Sequence, residues 1–222
     1  MLIFFHRELL RPETANERVL IGSRNNGILE TADAKARIQS GQGYLDVIRL
    51  LPVDAVMRKV GGPDYRYYVE ADGDDSDLNG RNMVDGARDA PWFDAGLWRL
   101  EIQPPPVRKK DRFLVALAPS QVGSKGPEKI SYLKMEGADG VATSSALVLF
   151  AHEDIDGDTL HYQLNDDMKR LHILVGAPGW KSVRVAQGDG PYDTLKFDEG
   201  VVAFESCPES DGAVSIQIER SH

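Results

Sequence analysis

The sequence predicts an all-β protein, an antiparallel two-layer β-sandwich that extends into a smaller second sheet stack. Three observations predict it. Short apolar or alternating segments recur along the chain, and turn residues break them about every ten positions. Few stretches carry a helical period. Glycines at 157, 176, 179, 188, 190, 200 and 212 stand between or beside the C-terminal segments, where tolerance of positive φ suits tight connections between strands.

The elements follow in order. Residues 2–9 (LIFFHREL) open the chain as an apolar strand, and residues 18–23 (RVLIGS) form the next. Residues 43–52 (GYLDVIRLLP), 59–70 (KVGGPDYRYYVE), 80–83 (GRNM), 96–104 (GLWRLEIQP) and 111–117 (DRFLVAL) carry the next strands and turns. Beyond them, residues 146–152 (ALVLFAH), 169–175 (KRLHILV), 182–187 (SVRVAQ), 201–206 (VVAFES) and 213–219 (AVSIQIE) read as consecutive strands. Residues 71–94, rich in Asp, Gly and Asn, interrupt the pattern, as do 104–106 (three prolines) and 120–128. Proline cannot donate to a ladder, so 104–106 is excluded from a central strand. These breaks divide the chain into a main portion, 1–120, and a smaller one, 121–222, as two domains or one continuous one. No internal repeat of fixed period marks a propeller or solenoid.

Composition narrows the function classes. The chain has 222 residues and 41% hydrophobic content, enough for a sizeable core. Its 35 acidic and 26 basic residues give a net charge of −9, which repels nucleic acid, anionic lipid and, at long range, acidic polysaccharide. A single cysteine, Cys207, excludes an intramolecular disulfide framework and any multi-cysteine metal site. No apolar run approaches the roughly 20 residues of a membrane-spanning helix. The opening MLIFF lacks the basic n-region and length of a signal sequence. An apolar strand at the start reads instead as a chain that begins inside a larger β structure.

The order and spacing of these motifs resemble the C-terminal β-sheet region of the heparinase II/III-like polysaccharide lyases. Residues 2–9 and 18–23, and downstream 135–152 (MEGADGVATSSALVLFAH) and 171–185 (LHILVGAPGWKSVRV), also fit that pattern. The resemblance implies a β-sandwich whose partner is a helical toroid that supplies most of the catalytic groups. It assigns no catalytic role to any residue here, because the family's catalytic Tyr and Asn belong to the toroid and its catalytic His to strands preceding this region. Relatives are often periplasmic or secreted; this chain carries no address of its own. Some relatives bind a divalent metal through acidic and histidine side chains of the sandwich. Here His6 stands at the family's Asp position and Gly22 at its His position, and glycine offers no ligand atom. The expectation is no bound metal and no cofactor.

Acidic loops and aromatics supply the remaining candidates. Residues 152–161 (HEDIDGDTLH) could gather a cation through Asp154, Asp156 and Asp158, with Glu153 beside them. As an EF-hand the stretch fails, with Thr159 where Gly is required and Asn165 where Glu is required. Residues 71–82 fail similarly, with Asp77 and Met83 at those two positions. Both read more simply as polar turns. Stacking on a sugar ring calls for an aromatic, and carboxylate or sulfate recognition calls for a guanidinium; Trp92, Arg88 and Arg99 are the ligand candidates. Trp98, in an alternating strand, reads as a core residue. His172, inside an apolar run, reads as a hydrogen-bonded strand residue. Trp180 reads as closing a turn over the last sheet. No glycine string fits a phosphate loop, and no G-x-S-x-G occurs.

Three functions fit this reading: a non-catalytic module that packs on a toroid and walls a glycan cleft, a carbohydrate-binding module for acidic polysaccharide, and a lyase with a rebuilt active site. Proton abstraction next to a uronate carboxylate needs a base such as Tyr or His and a cationic or amide neutraliser in one cleft. Open sheet edges at the N-terminal strand predict a homo-oligomer.

Overall fold

The computed structural model describes residues 2–4, 11–69, 81–82, 97–106, 109–124, 129–152, 159–165, 169–176, 179–206 and 213–221. It is all-β, and the chain divides into two compact units, Met1–Pro127 and Glu128–His222. The first unit extends past residue 120 because β10 (Leu114–Gln121) runs its full length against β5 (Gly43–Leu51), ending on the pair Gln121 and Gly43.

In the first unit, β1 (Leu2–Phe4), β9 (Trp98–Gln103), β6 (Val56–Gly61), β3 (Asn26–Thr31) and β2 (Arg18–Ser23) form a five-stranded sheet in that order, with β1 at one edge. The facing sheet is β10, β5 and β4 (Lys35–Ser40), and β7 (Tyr68–Val69) with β8 (Arg81–Asn82) makes a separate ribbon. Alternation decides which side chains meet. On β9, Trp98, Leu100 and Ile102 are buried and the residues between them half-buried, as a period of two requires. Ala36 and Ile38 of β4, Val47 of β5, Met57 of β6 and the β9 pair Leu100 and Ile102 make the core between the sheets. The expected core role of Trp98 holds.

An unexpected charge lies inside this sandwich. Lys59 shares the inward side of β6 with Met57 and is 1% exposed. Its ammonium donates to the Pro12 carbonyl at 2.9 Å and to Glu17, which also accepts from Arg11 and Thr14. The segment carrying these groups is tied to the other sheet, since Glu13 and Arg37 exchange backbone bonds of 2.7 and 2.9 Å. Residues 11–17 thus close one end of the sandwich around a lysine.

The second unit is a second sandwich. Its larger sheet runs β11 (Ser131–Met135), β12 (Ala138–Ala142), β13 (Ala146–Ala151), β15 (Arg170–Val175) and β18 (Val201–Ser206). The other runs β14 (Thr159–Asn165), β19 (Ala213–Arg220), β16 (Ser182–Gln187) and β17 (Asp193–Lys196). Leu147, Leu149, Leu174 and Val202 face Leu160, Val183, Val185, Ile216 and Ile218 across the core. The five C-terminal segments read from the sequence are all strands, though not neighbours in sequence order. β13 and β15 pair in parallel, from Ala146 with Leu171 to Phe150 with Val175, because β14 crosses to the opposite sheet between them. Strands left unmarked in the sequence are β11, β14, partly hidden behind an acidic loop, and the short edge strand β17 in this unit, and β3 and β4 in the first.

His172 is fully buried on β15 and pairs through Nδ1 with the Tyr162 hydroxyl of the opposite sheet at 2.7 Å. Its ring stacks on Phe204, with centroids 4.9 Å apart. Burial pushes the Tyr162 hydroxyl well above its ordinary range, so it serves as a neutral partner. This is the hydrogen-bonded strand histidine the sequence predicted. Trp180 is 6% exposed and belongs to the same core.

Candidate functional site

Of the three ligand candidates, Arg99 is described and Trp92 and Arg88 lie outside the described residues, as do His6, Asp154, Asp156 and Asp158. Arg99 occupies the outward side of β9. Its guanidinium donates to Glu101 at 2.6 Å and to the Tyr68 carbonyl at 2.7 Å. Glu101 belongs to a row of alternating charge across four adjacent strands, Arg18, Glu30, Arg58 and Glu101, each registered opposite the next. Glu30 accepts from Arg18 at 2.8 Å and from Arg58 at 3.1 Å. Opposite charges directly across a ladder stabilise pairing and set register. Arg99 therefore belongs first to the sheet's own polar surface.

The GGPDYRYY run folds onto the β2–β3 hairpin beside it. Gly62 has φ +94, and a Cβ there would meet the Asn25 carbonyl at 2.6 Å, so this turn requires glycine. Asn26 then clamps Asp64, donating to its carboxylate at 2.7 Å and accepting from its backbone N–H at 2.9 Å. The turn presents half-buried Tyr65 and Tyr68, with ring centroids 5.2 Å apart, and it is the Tyr68 backbone carbonyl that Arg99 bonds. The sequence offered these tyrosines only among the chain's possible bases, because only the fold of the turn brings the Tyr68 backbone to the arginine.

Gly22 has φ +77, and a Cβ would meet the Asn26 carbonyl at 2.4 Å and the Tyr65 ring at 3.1 Å. A histidine at this position would be strained and crowded. Among the described residues, no group of three or more His, Cys, Asp and Glu side chains is placed to hold a metal ion.

Two features of the second unit were not legible in the sequence. On the outer side of β12, Asp139 is 7% exposed. It accepts from the Tyr132 hydroxyl at 2.5 Å and lies 2.9 Å from His152 Nε2. These residues are neighbours because β11, β12 and β13 are paired antiparallel. A phenol and an imidazole on one enclosed carboxylate can pass or hold a proton, and the carboxylate fixes both rings. From this triad, where Lys134 stands opposite Asp139, the same outer face continues mainly apolar through Val141, Val148, Phe150, Leu171, Ile173, Val175 and Val201, and it ends at Glu205, which is opposite Leu171 and ion-paired with Lys169.

The second feature is a cleft of about 400 Å³ at the end of this sandwich where β11 begins and β12 ends. Leu133, Ala142 and Leu164 line its apolar part, and Lys129, Ser131 and Arg170 are among its polar walls. The Arg170 guanidinium donates to the Thr143 carbonyl, which anchors it on the turn between β12 and β13.

No family model matches this chain, and no curated protein matches it either.

Proposed function

We propose that the chain is a non-catalytic β-sandwich module that packs on a partner domain, as its resemblance to the C-terminal region of heparinase II/III-like polysaccharide lyases implies. The outer face of β13, β15 and β18 carries this reading. Phe150, Leu171 and Val201 are 39%, 40% and 37% exposed there, with Val148, Ile173 and Val175 half-buried between them. The outward row of the first unit, by contrast, is a charge ladder. A contiguous apolar face of this kind marks an interaction surface, and helices are the usual cover for such a sheet face. The partner is then a helical domain such as a lyase toroid. Without it, a second copy of the chain takes its place and yields a homo-oligomer.

The test is mass by light scattering, alone and mixed with a toroid region of this lyase type, for wild type and for Phe150→Lys with Leu171→Lys. Wild type should form the complex or self-associate at micromolar concentration, and the lysine variant should do neither while keeping its circular dichroism. A monomeric wild type that takes no partner refutes the proposal. The isolated chain should also release no unsaturated uronate products from heparan sulfate, heparin, alginate or hyaluronan. Products lost on substituting Tyr132 or His152 would make it a lyase.

A second reading, a module that binds acidic polysaccharide near Trp92, Arg88 and Arg99, is favoured by the Tyr65–Tyr68 pair on the turn whose Tyr68 carbonyl Arg99 bonds. Glycan-array binding that falls in Arg99→Gln distinguishes it.

A further inference from the structure

We infer that Asn26 is a self-modification site, where deamidation through a cyclic imide with Gly27 is held in check by a clamp from Asp64, independently of the functions proposed above. The sequence supplies the chemistry. In an Asn-Gly pair the residue after the amide has no side chain, so its backbone nitrogen can approach the asparagine Cγ unhindered. Attack forms the bond from the Gly27 nitrogen to Cγ, the Cγ–Nδ2 bond breaks, and ammonia leaves with the proton that Gly27 gives up. Water then opens the imide at one of its two carbonyls, leaving aspartate or its isoaspartate isomer at position 26.

The fold supplies the restraint. Asn26 opens β3, half-buried, and its amide is held at both ends. Nδ2 donates to the Asp64 carboxylate at 2.7 Å, and Oδ1 accepts from the Asp64 backbone N–H at 2.9 Å. Gly62 packs on the same group so closely that a Cβ there would lie 2.9 Å from Oδ1. Gly27 is buried and registered between Gly22 of β2 and Gly61 of β6. For attack the amide must leave Asp64 and swing toward the Gly27 nitrogen, and the ladder must open there. The bond from Nδ2 to Asp64 is thus the local, removable part of the restraint. Reaction destroys it, because aspartate has no N–H to give, and two carboxylates would then face each other where a 2.7 Å bond stands. Isoaspartate would in addition insert a backbone carbon beside the Ser23–Asn26 pair, which the register of the ladder does not admit. Modification therefore releases the turn that carries Tyr65 and Tyr68.

The test is peptide mapping by mass spectrometry of the full chain, incubated in warm, mildly alkaline buffer both folded and in concentrated urea. Asn79, which also precedes a glycine, is the in-chain reference. In urea both asparagines should convert at comparable rates. In the folded protein Asn26 should convert about tenfold or more slowly than in urea, because ladder and clamp must both open first. Asp64→Ala should speed the folded reaction about fivefold, the weight of one hydrogen bond, whereas Asp64→Asn, whose side-chain oxygen still accepts from Nδ2, should stay near wild type. Circular dichroism checks that each variant is folded. Asn26→Asp, one product made directly, should lower the urea midpoint. Asn26 inert in urea while Asn79 converts, equal rates in folded and unfolded wild type, or Asp64→Ala and Asp64→Asn reacting alike would overturn the inference, and a wild-type midpoint in Asn26→Asp would overturn the release of the turn.

Discussion

Replacing Glu17 by glutamine removes the carboxylate that, among the described residues, faces Lys59 inside the first sandwich. The ammonium is 1% exposed, and what remains to it is the Pro12 carbonyl at 2.9 Å and the charge of Arg11 nearby. Removing one partner of a buried pair costs about 3–5 kcal/mol, because the other charge is left desolvated. At about 1.4 kcal/mol per factor of ten, that lowers the folded-to-unfolded ratio by a factor of roughly a hundred to several thousand. Domains hold only about 5–15 kcal/mol in total, so the unit should be near unfolding. Urea melts read by tryptophan fluorescence measure this. A Trp180→Phe background removes the tryptophan of the second unit and leaves Trp92 and Trp98, both in the first unit, to report on it. The double variant Glu17→Met with Lys59→Met should recover most of the loss, since replacing both charges by apolar groups of similar volume is often neutral. The pair also predicts a pH dependence. Burial pushes the Glu17 carboxyl up, but bonds from Lys59 and Arg11 outweigh it and hold the group below its ordinary 4.5. A carboxyl depressed in the folded state contributes stability that is present above the unfolded value and lost as pH falls through the folded one. The acid limb of wild type below about pH 4.5 should therefore flatten in Glu17→Gln. A single-variant cost under about 1 kcal/mol, the range of an exposed pair, with an unchanged acid limb, would refute the reasoning.

Other outcomes follow from single contacts. Gly61→Ala should destabilise the first unit by about 1–3 kcal/mol through overpacking, because its Cβ would lie 2.3 Å from the Leu97 carbonyl and 2.7 Å from Trp98 Cδ2; a urea midpoint equal to wild type counts against this. Gly22→His should lower the melting temperature without creating zinc binding measurable by elemental analysis, as the positive φ strains any side chain there. Tyr162→Phe should cost the second unit about 1–3 kcal/mol by taking the phenol from buried His172, read from thermal melts reported by Trp180. Asp46→Asn should weaken the first unit, because Arg37 and then Lys35 hold this fully buried carboxyl below its ordinary value. Stability supplied by Asp46 in wild type should vanish as pH falls below about 4, and the variant should show no such loss in acid urea melts.

What the sequence determined by itself is the local pattern. A period of two at residues 98–103 is enough to make β9 and to turn Trp98 inward, because successive side chains on a strand take opposite faces. Prolines 104–106 are enough to end it. The apolar run around His172 is enough to bury the histidine. Pairing is another matter, since nothing within a strand names its neighbour. The parallel pairing of β13 with β15 depends on where β14 goes, and β14 is placed by burying Leu160, Tyr162 and Leu164 against the far side of the core. The triad of Tyr132, Asp139 and His152 exists only once β11, β12 and β13 are in register, and the cleft only once Leu164 of one sheet meets Leu133 of the other. Lys59 is the clearest case. In VMRKVG it reads as a charge that solvent should claim, yet tertiary structure turns it inward because residues 11–17, more than forty positions away, bring the carboxylate and carbonyl that make its burial tolerable.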